Sequence, residues 1–211
     1  MKEITPYNKL ETALTELDNG GRFYNILTKA DDGNITTAEL SKAAGAASMF
    51  TDKQKMIIYL EMSLLDLEHA NKEKIISSLS DDLLSSYKKY QPKYFKPSDN
   101  IDQSEISSSA IITGIPKLIE SKSEFTGFIM IPIMAGSVTT FSMIPIIELY
   151  NIYELQDLET GKDIIIAHTK GDGKLPEIPL KCGGVIKELK KDKSSKQPAT
   201  IFLEGLYFVG V

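Results

Sequence analysis

The amino-acid sequence predicts an α+β chain: a helical N-terminal domain over residues 1–91, a connector over 92–109, and an antiparallel β-barrel or β-sandwich over 110–211. Three observations carry this reading. From Tyr7 to about Tyr90 apolar residues recur at helical spacing and β-branched runs are scarce. The stretch with Pro92, Pro97, Ser98, Asp99, Asn100, Asp102 and Ser107 to Ser109 disfavours both regular structures. Beyond it, runs rich in Ile, Val, Thr, Phe and Tyr alternate with turn signals at Leu158 to Gly161, Lys170 to Gly173, Gly183-Gly184 and Ser194-Ser195.

Helices are predicted at about 7–17, 21–28, 37–48, 52–69 and 72–90. Thr36, Thr51 and Asn71 are placed to cap the last three, because their side-chain oxygens can accept from free amides of a first turn. In the fourth helix Met56, Ile57, Tyr59, Leu60, Leu64, Leu65 and Leu67 form the apolar side and leave Glu61, Asp66 and Glu68 to water. In the fifth, Ile75, Ile76, Leu79, Leu83 and Leu84 make a stripe. Strands are predicted at about 110–119, 125–134, 138–147, 148–156, 163–169, 184–190 and 199–209, a spacing that suits a barrel or sandwich.

Composition narrows the chemistry. The chain has 211 residues, 24 basic and 29 acidic side chains, two histidines and one cysteine. Residues 1–106 hold 13 basic against 17 acidic groups, and residues 107–211 hold 11 against 12, so neither half is basic enough for a general polyanion binder. Cys182 alone makes no internal disulfide, and the acidic Met1 to Leu17 stretch does not read as a secretory signal. The expected setting is the cytoplasm or a particle assembled there.

From Phe125 to Ile147 run 23 residues without a formal charge, long enough to cross a bilayer as a helix. Pro132, Pro145, the Gly136-Ser137 turn and the polar Thr139, Thr140 and Ser142 argue against a membrane span. An internal echo argues for a hairpin: Phe128-Ile129-Met130-Ile131-Pro132-Ile133-Met134 returns thirteen positions later as Phe141-Ser142-Met143-Ile144-Pro145-Ile146-Ile147. Proline cannot donate to a central strand, so each marks an edge, a bulge or a strand end. Such a hairpin either fills the core or docks on another subunit or a membrane, for which Phe128, Met130, Ile131, Phe141, Met143 and Ile144 are the candidate residues.

Two basic clusters are further contact candidates. In Tyr87 to Lys96 four lysines interleave with four aromatics, and Lys88, Lys89, Tyr90, Lys93 and Tyr94 could stack on bases and meet phosphates, or simply complement the negative end of a helix. In Lys187 to Lys196, five lysines against Glu188 and Asp192 form what reads as a long loop tip, with Lys190, Lys191 and Lys193 at its centre.

Residues 28–39 resemble the calcium loop of the EF-hand family, with Asp32 at the fifth position, Gly33 at the turn, Ile35 at the eighth and Glu39 at the twelfth. The resemblance implies a cation ligated by Asp32 and Glu39. Thr28 and Ala30 replace the aspartates of the first and third positions, so the expected structure is an Asp-Gly turn before a Thr-capped helix, with no metal. Thr37 to Gly45 also has the look of a helix-turn-helix, but Ala46 to Phe50 offers no arginine, asparagine or glutamine to read bases. Gly171-Asp172-Gly173-Lys174 lacks the spacing of a phosphate loop.

The sequence therefore points to a non-enzymatic structural or assembly component of a larger complex, of the virion or secretion-machine kind, meeting a protein partner or a second copy through its β domain. No cofactor is expected. Two alternatives remain: a single-stranded nucleic-acid-binding module of oligonucleotide-binding-barrel type, and a small thiol-dependent enzyme that pairs Cys182 with His168 from adjacent strands.

Overall fold

The computed structural model describes residues 1–19, 32–45, 52–119, 128–135, 138–145, 149–189 and 200–211, with backbone alone over 128–135 and 138–145. These residues form a mixed α/β structure with five α-helices, a seven-stranded sheet and a separate two-stranded sheet. They divide into two compact units: residues 3–93 with 207–209, and residues 1–2, 94–206 and 210–211.

The helical unit holds α1 (Leu10–Leu17), α2 (Thr37–Ala43), α3 (Lys53–Ser63), α4 (His69–Ser77) and α5 (Asp81–Tyr90). Thr36 caps α2 as the sequence predicts, in a full capping box. Its hydroxyl accepts from the Glu39 amide, and the Glu39 carboxylate accepts from the Thr36 amide at 2.8 Å. At α3 the cap is Asp52, whose Oδ1 accepts from the Lys55 amide at 3.2 Å; Thr51 and the predicted helix 21–28 lie outside the described residues.

The centre of this unit is α3. Every residue from Met56 to Ser63 is buried, so the helix presents no wet face over its last two turns. Glu61, assigned by periodicity to solvent, is buried as well, and Tyr87 of α5 donates its hydroxyl to Glu61 Oε2 at 3.0 Å. The single predicted helix 72–90 is two helices. Ile35 forms a parallel bridge with Leu79, the Ile35 amide donating to Ser78 O at 2.8 Å and the Ser80 amide to Ile35 O at 2.9 Å. Those bonds take the backbone out of the helical pattern, and α5 restarts with Asp81 and Asp82 at its positive end. Asn71 lies inside α4 rather than capping it. His69, placed by sequence at a helix end, is the first residue of α4.

The strands are β1 (Lys2–Glu3), β2 (Lys93–Phe95), β3 (Ser109–Leu118), β4 (Phe128–Ala135), β5 (Val138–Pro145), β6 (Tyr150–Gln156), β7 (Asp163–Thr169), β8 (Leu180–Leu189) and β9 (Thr200–Gly210). The short β1 and β2 have no counterpart in the sequence prediction, and β2 falls inside the predicted connector. The large sheet runs β1-β9-β7-β6-β3-β2, and β8 pairs with both β3 and β9. Pairings β3-β6-β7-β9-β8 therefore return to β3.

The β7–β9 pair departs from the predicted antiparallel pattern. β7 and β9 are parallel, with Ile165, Ile166 and Ala167 opposite Phe202, Leu203 and Glu204. Besides its pairing with β2, β3 changes partner along its length, pairing through Ser109–Gly114 with β8 and through Ile115–Leu118 with β6. Gly114 stands at the change of partner, where a Cβ would sit 2.5 Å from the Gln156 carbonyl oxygen. Gly184 of β8 has the same constraint against the Glu204 carbonyl of β9. Only glycine permits these approaches.

Candidate ligand-binding site

The β6–β7 register sorts side chains onto two faces, since directly paired residues share a face. Tyr153, Leu155, Ile166 and His168 lie on one, all buried. On the other, solvent-facing Asp163 and Gln156 occupy one end. The far end of that second face is apolar: Ile152 and Ala167 cluster with Ile119, Leu189 and Phe202, and Tyr150 and Ile165 pack against them. Nothing in hydrophobic periodicity alone separates a strand pair buried twice from one buried once.

Beside this apolar stripe opens a cavity of about 250 Å³ lined by Leu118, Ile119, Tyr150, Asn151, Ile152, Lys170 and Lys174. Its walls come from the end of β3, the start of β6 and the turn after β7. Tyr150 donates its hydroxyl to Glu204 Oε1 at 3.1 Å, and burial beside that carboxylate pushes the phenol up to about 12, so it stays protonated at neutral pH. The Asn151 side-chain amide donates to Gly173 O at 3.4 Å, tying β6 to the turn that carries both lysines. Around its rim stand the Tyr150 ring and the exposed lysines Lys170 and Lys174, while Ile119 and Ile152 beneath are already buried in the protein's own cluster.

Sequence reasoning missed this cavity. It read Lys170 to Gly173 as a turn and Tyr150 as a strand residue. The available signal was the pair of lysines flanking two glycines at the end of an apolar strand.

The basic-aromatic strip 87–96 is divided between the two units. In the helical unit Tyr87 is buried, Lys88 and Lys89 are exposed at the end of α5, and Lys89 Nζ stands 4.8 Å from the Tyr90 ring centroid. Lys93 and Tyr94 are exposed on β2, Tyr94 at 54%. Lys96 pairs with Glu159 at 3.0 Å, both side chains in water, and this contact raises the lysine above its ordinary range. The central lysines of the other cluster, Lys190, Lys191 and Lys193, lie outside the described residues.

Residues 128–135 and 138–145 form two strands, not a membrane helix; among the described residues no helix is long and apolar enough to cross a bilayer. Phe128 pairs with Pro145 and Ala135 with Val138, across the predicted Gly-Ser position. Phe128, Met130, Pro132, Met134, Phe141 and Met143 share one face of this ribbon, and Ile129, Ile131, Ile133 and Ile144 the other. The six residues proposed from sequence thus split four and two. In a two-stranded sheet both strands are edges, which accommodates Pro132, and Pro145 ends its strand.

The proposed thiol pair is not assembled. Cys182 lies on β8, opposite Ile112 of β3, fully buried, and burial pushes its thiol up to about 12. His168 lies on β7, whose neighbours are β6 and β9, so the two strands are not adjacent. The imidazole is a packing element: it stacks on Tyr153 with centroids 5.5 Å apart, and its Nδ1 lies 3.0 Å from both the Thr169 carbonyl and the Met1 amino nitrogen.

In the loop similar to an EF-hand, Glu39 is committed to the α2 cap and Asp32 Oδ1 accepts from the Asn34 amide at 2.9 Å. Asp18 Oδ2 accepts from the Gly33 amide at 3.0 Å. No cluster of three metal-ligating side chains occurs among the described residues.

No family model matches the chain, and no curated protein matches it in sequence. Among solved structures the chain is similar to the N-terminal domain of an archaeal MCM, at 11% identity over 94% of each chain and a TM-score of 0.40. A likeness at that level carries no argument about what this chain does.

Proposed function

We propose that the chain is a binding module rather than an enzyme, that β3, β6, β7, β9 and β8 close into a five-stranded barrel of the oligonucleotide-binding type, and that its ligand is single-stranded nucleic acid. One observation carries the reading: the cycle of pairings contains five strands and a parallel seam at β7–β9. A closed ring with an odd number of strands cannot be antiparallel throughout, so a five-stranded barrel requires such a seam.

In barrels of this type the second and third strands, with the loops joining strands one to two and four to five, hold the ligand. The corresponding parts here are β6 and β7, the segment 119–149 that includes the β4–β5 ribbon, and the segment 190–199 that carries Lys190, Lys191 and Lys193. The apolar stripe and the lysine-lined cavity lie on the β6–β7 face. Net charge is -5, so the attraction for phosphate is local.

Fluorescence anisotropy with a labelled single-stranded oligonucleotide tests this reading at two salt concentrations. Binding at low salt that weakens as salt rises supports it, with replacement of Lys190, Lys191 and Lys193 by alanine reducing the salt slope. Absence of binding at low salt overturns it.

A second reading, assembly through the β4–β5 ribbon, is favoured by the ribbon's uncharged sequence and its standing as a two-stranded sheet separate from the large one. Isolated two-stranded ribbons are marginal in water, so apolar faces of this size gain from a partner. A defined or concentration-dependent oligomer in light scattering supports it, and a strict monomer across the concentration range overturns it.

A further inference from the structure

We infer that β5 is an open strand edge on which a second copy of this chain adds its own β5, antiparallel and centred on Phe141, so that two ribbons make one four-stranded sheet. The inference rests on the assembly reading of the ribbon and adds to it the edge, the partner and the register. Ala135 stands opposite Val138 with two residues between them, the register of a two-residue hairpin, whose closing pair exchanges backbone hydrogen bonds. Bonded and non-bonded pairs then alternate, and Met134–Thr139, Pro132–Phe141, Met130–Met143 and Phe128–Pro145 are the non-bonded ones. The backbone groups of those residues lie along the two outer edges of the ribbon.

That placement makes the edges unequal. Each proline falls where its missing amide takes no bond from the hairpin but removes a donor from an outer edge. On β4 the gap at Pro132 lies between Met130 and Met134 and interrupts the row. On β5 the gap at Pro145 is at the strand end, and Thr139, Phe141 and Met143 follow one another as complete donor and acceptor sites. Natural edge strands are commonly blocked by a charged side chain or a proline. β5 has neither between Val138 and Ile144, and among the described residues no third strand joins it.

The sequence of the strand identifies the partner. A two-fold axis at Phe141 sets Phe141 opposite Phe141 of the partner subunit, and Thr140 opposite Ser142 of the partner subunit. Aromatic and hydroxyl pairs of this kind stabilise cross-strand neighbours, and with no charge from Phe125 to Ile147 the symmetry sets no like charges against each other. Joining two ribbons also supplies the three or more strands that a sheet needs to be stable in water. The paired edge is a strip about 27 Å long and ~10 Å thick, roughly 270 Å² on each copy, against the ~800 Å² per partner of a standard stable interface. The association is therefore weak and grows with concentration.

The test uses the full chain. Sedimentation velocity over a wide concentration range compares the parent with Met143→Pro and Met130→Pro, which remove one outward donor from β5 and from β4 and leave the bonds of the hairpin in place. Separately, Phe141→Cys and Val138→Cys are oxidised with copper phenanthroline, against a background of buried Cys182. In the inferred register the two Phe141 positions are about 5.5 Å apart, within disulfide reach, whereas the two Val138 positions are about 20 Å apart. The expected result is a concentration-dependent dimer whose dissociation constant rises tenfold or more in Met143→Pro and holds in Met130→Pro, with a covalent dimer from Phe141→Cys alone. A dimer indifferent to Met143→Pro, or weakened by Met130→Pro instead, overturns the edge and leaves assembly through the ribbon standing. Equal cross-linking at both cysteine positions overturns the register. A strict monomer with no cross-link overturns both the inference and the assembly reading.

Discussion

The Tyr87 hydroxyl donates to Glu61 Oε2 across 3.0 Å, joining the last helix of the helical unit to its fully buried central one. A carboxylate on a buried helix is tolerable only with such donors. Tyr87→Phe removes one and preserves the ring, so the expected loss is about 1–3 kcal/mol in urea-induced unfolding. A change within a few tenths would mean that Glu61 is satisfied by its other contacts.

Glu39 gives the stability a pH dependence. Burial, aided by the charges of Asp18 and Asp32, raises its pKa despite the opposing hydrogen bonds from Thr36. A carboxyl raised on folding binds more protons in the native state, so stability falls as pH climbs through the window from the ordinary glutamate value to the raised one, and is flat above it. Glu39→Gln retains the capping geometry without the titration. Urea midpoints from pH 4 to 7 should therefore decline for the parent chain and decline less for the variant.

Asp157 acts in the opposite sense at lower pH. Its carboxylate accepts from the Glu159 and Thr160 amides at 2.8 and 2.9 Å and from the Ser98 hydroxyl at 2.9 Å, which holds it well below the usual carboxylate range. A lowered carboxyl contributes stability that is present above its unfolded pKa and is lost as pH falls through the folded one. Asp157→Ala should lower the melting temperature at neutral pH and flatten the decline below about pH 4, where unperturbed aspartates titrate. A parallel decline in both chains would contradict this.

Cys182 should be inert. With the thiol fully buried and pushed up to about 12, alkylation by iodoacetamide at pH 8 must wait for the strands to open. Its rate should rise with urea in step with unfolding, and alkylation at the rate of a free thiol in native buffer would show the burial to be wrong.

Gly184→Ala tests closure of the strand ring. The added methyl would collide with the Glu204 carbonyl on the neighbouring strand, and overpacking of this kind costs about 1–3 kcal/mol. Thermal unfolding that leaves the midpoint unchanged would mean that β8 and β9 can separate locally without loss.

Much of the strand layout was legible because turn residues and β-branched runs are local signals. β7 spans Asp163–Thr169, the residues that Gly161 and the Lys170-Gly171 turn delimit. Features set by distant partners were not legible. Periodicity runs unbroken through Leu79, and the break there comes from Ile35, far back in the chain. Likewise the parallel seam depends on β9 finding β7, which no local pattern encodes. The cavity was hidden for a related reason: its lysines read as a solvated turn until the fold brings them against Tyr150 and Ile152.

The pairing of β8 with both β3 and β9 also orders events during synthesis. Until residues 200–210 are made, β7 has an unpaired edge and β8 lacks one of its two neighbours. Pairing of β9 with β7 joins segments separated by more than a strand's length of chain, a slow step in which open edges invite pairing with other molecules. A growing chain therefore carries these open edges until β9 emerges, and that strand acts as the clasp that covers them.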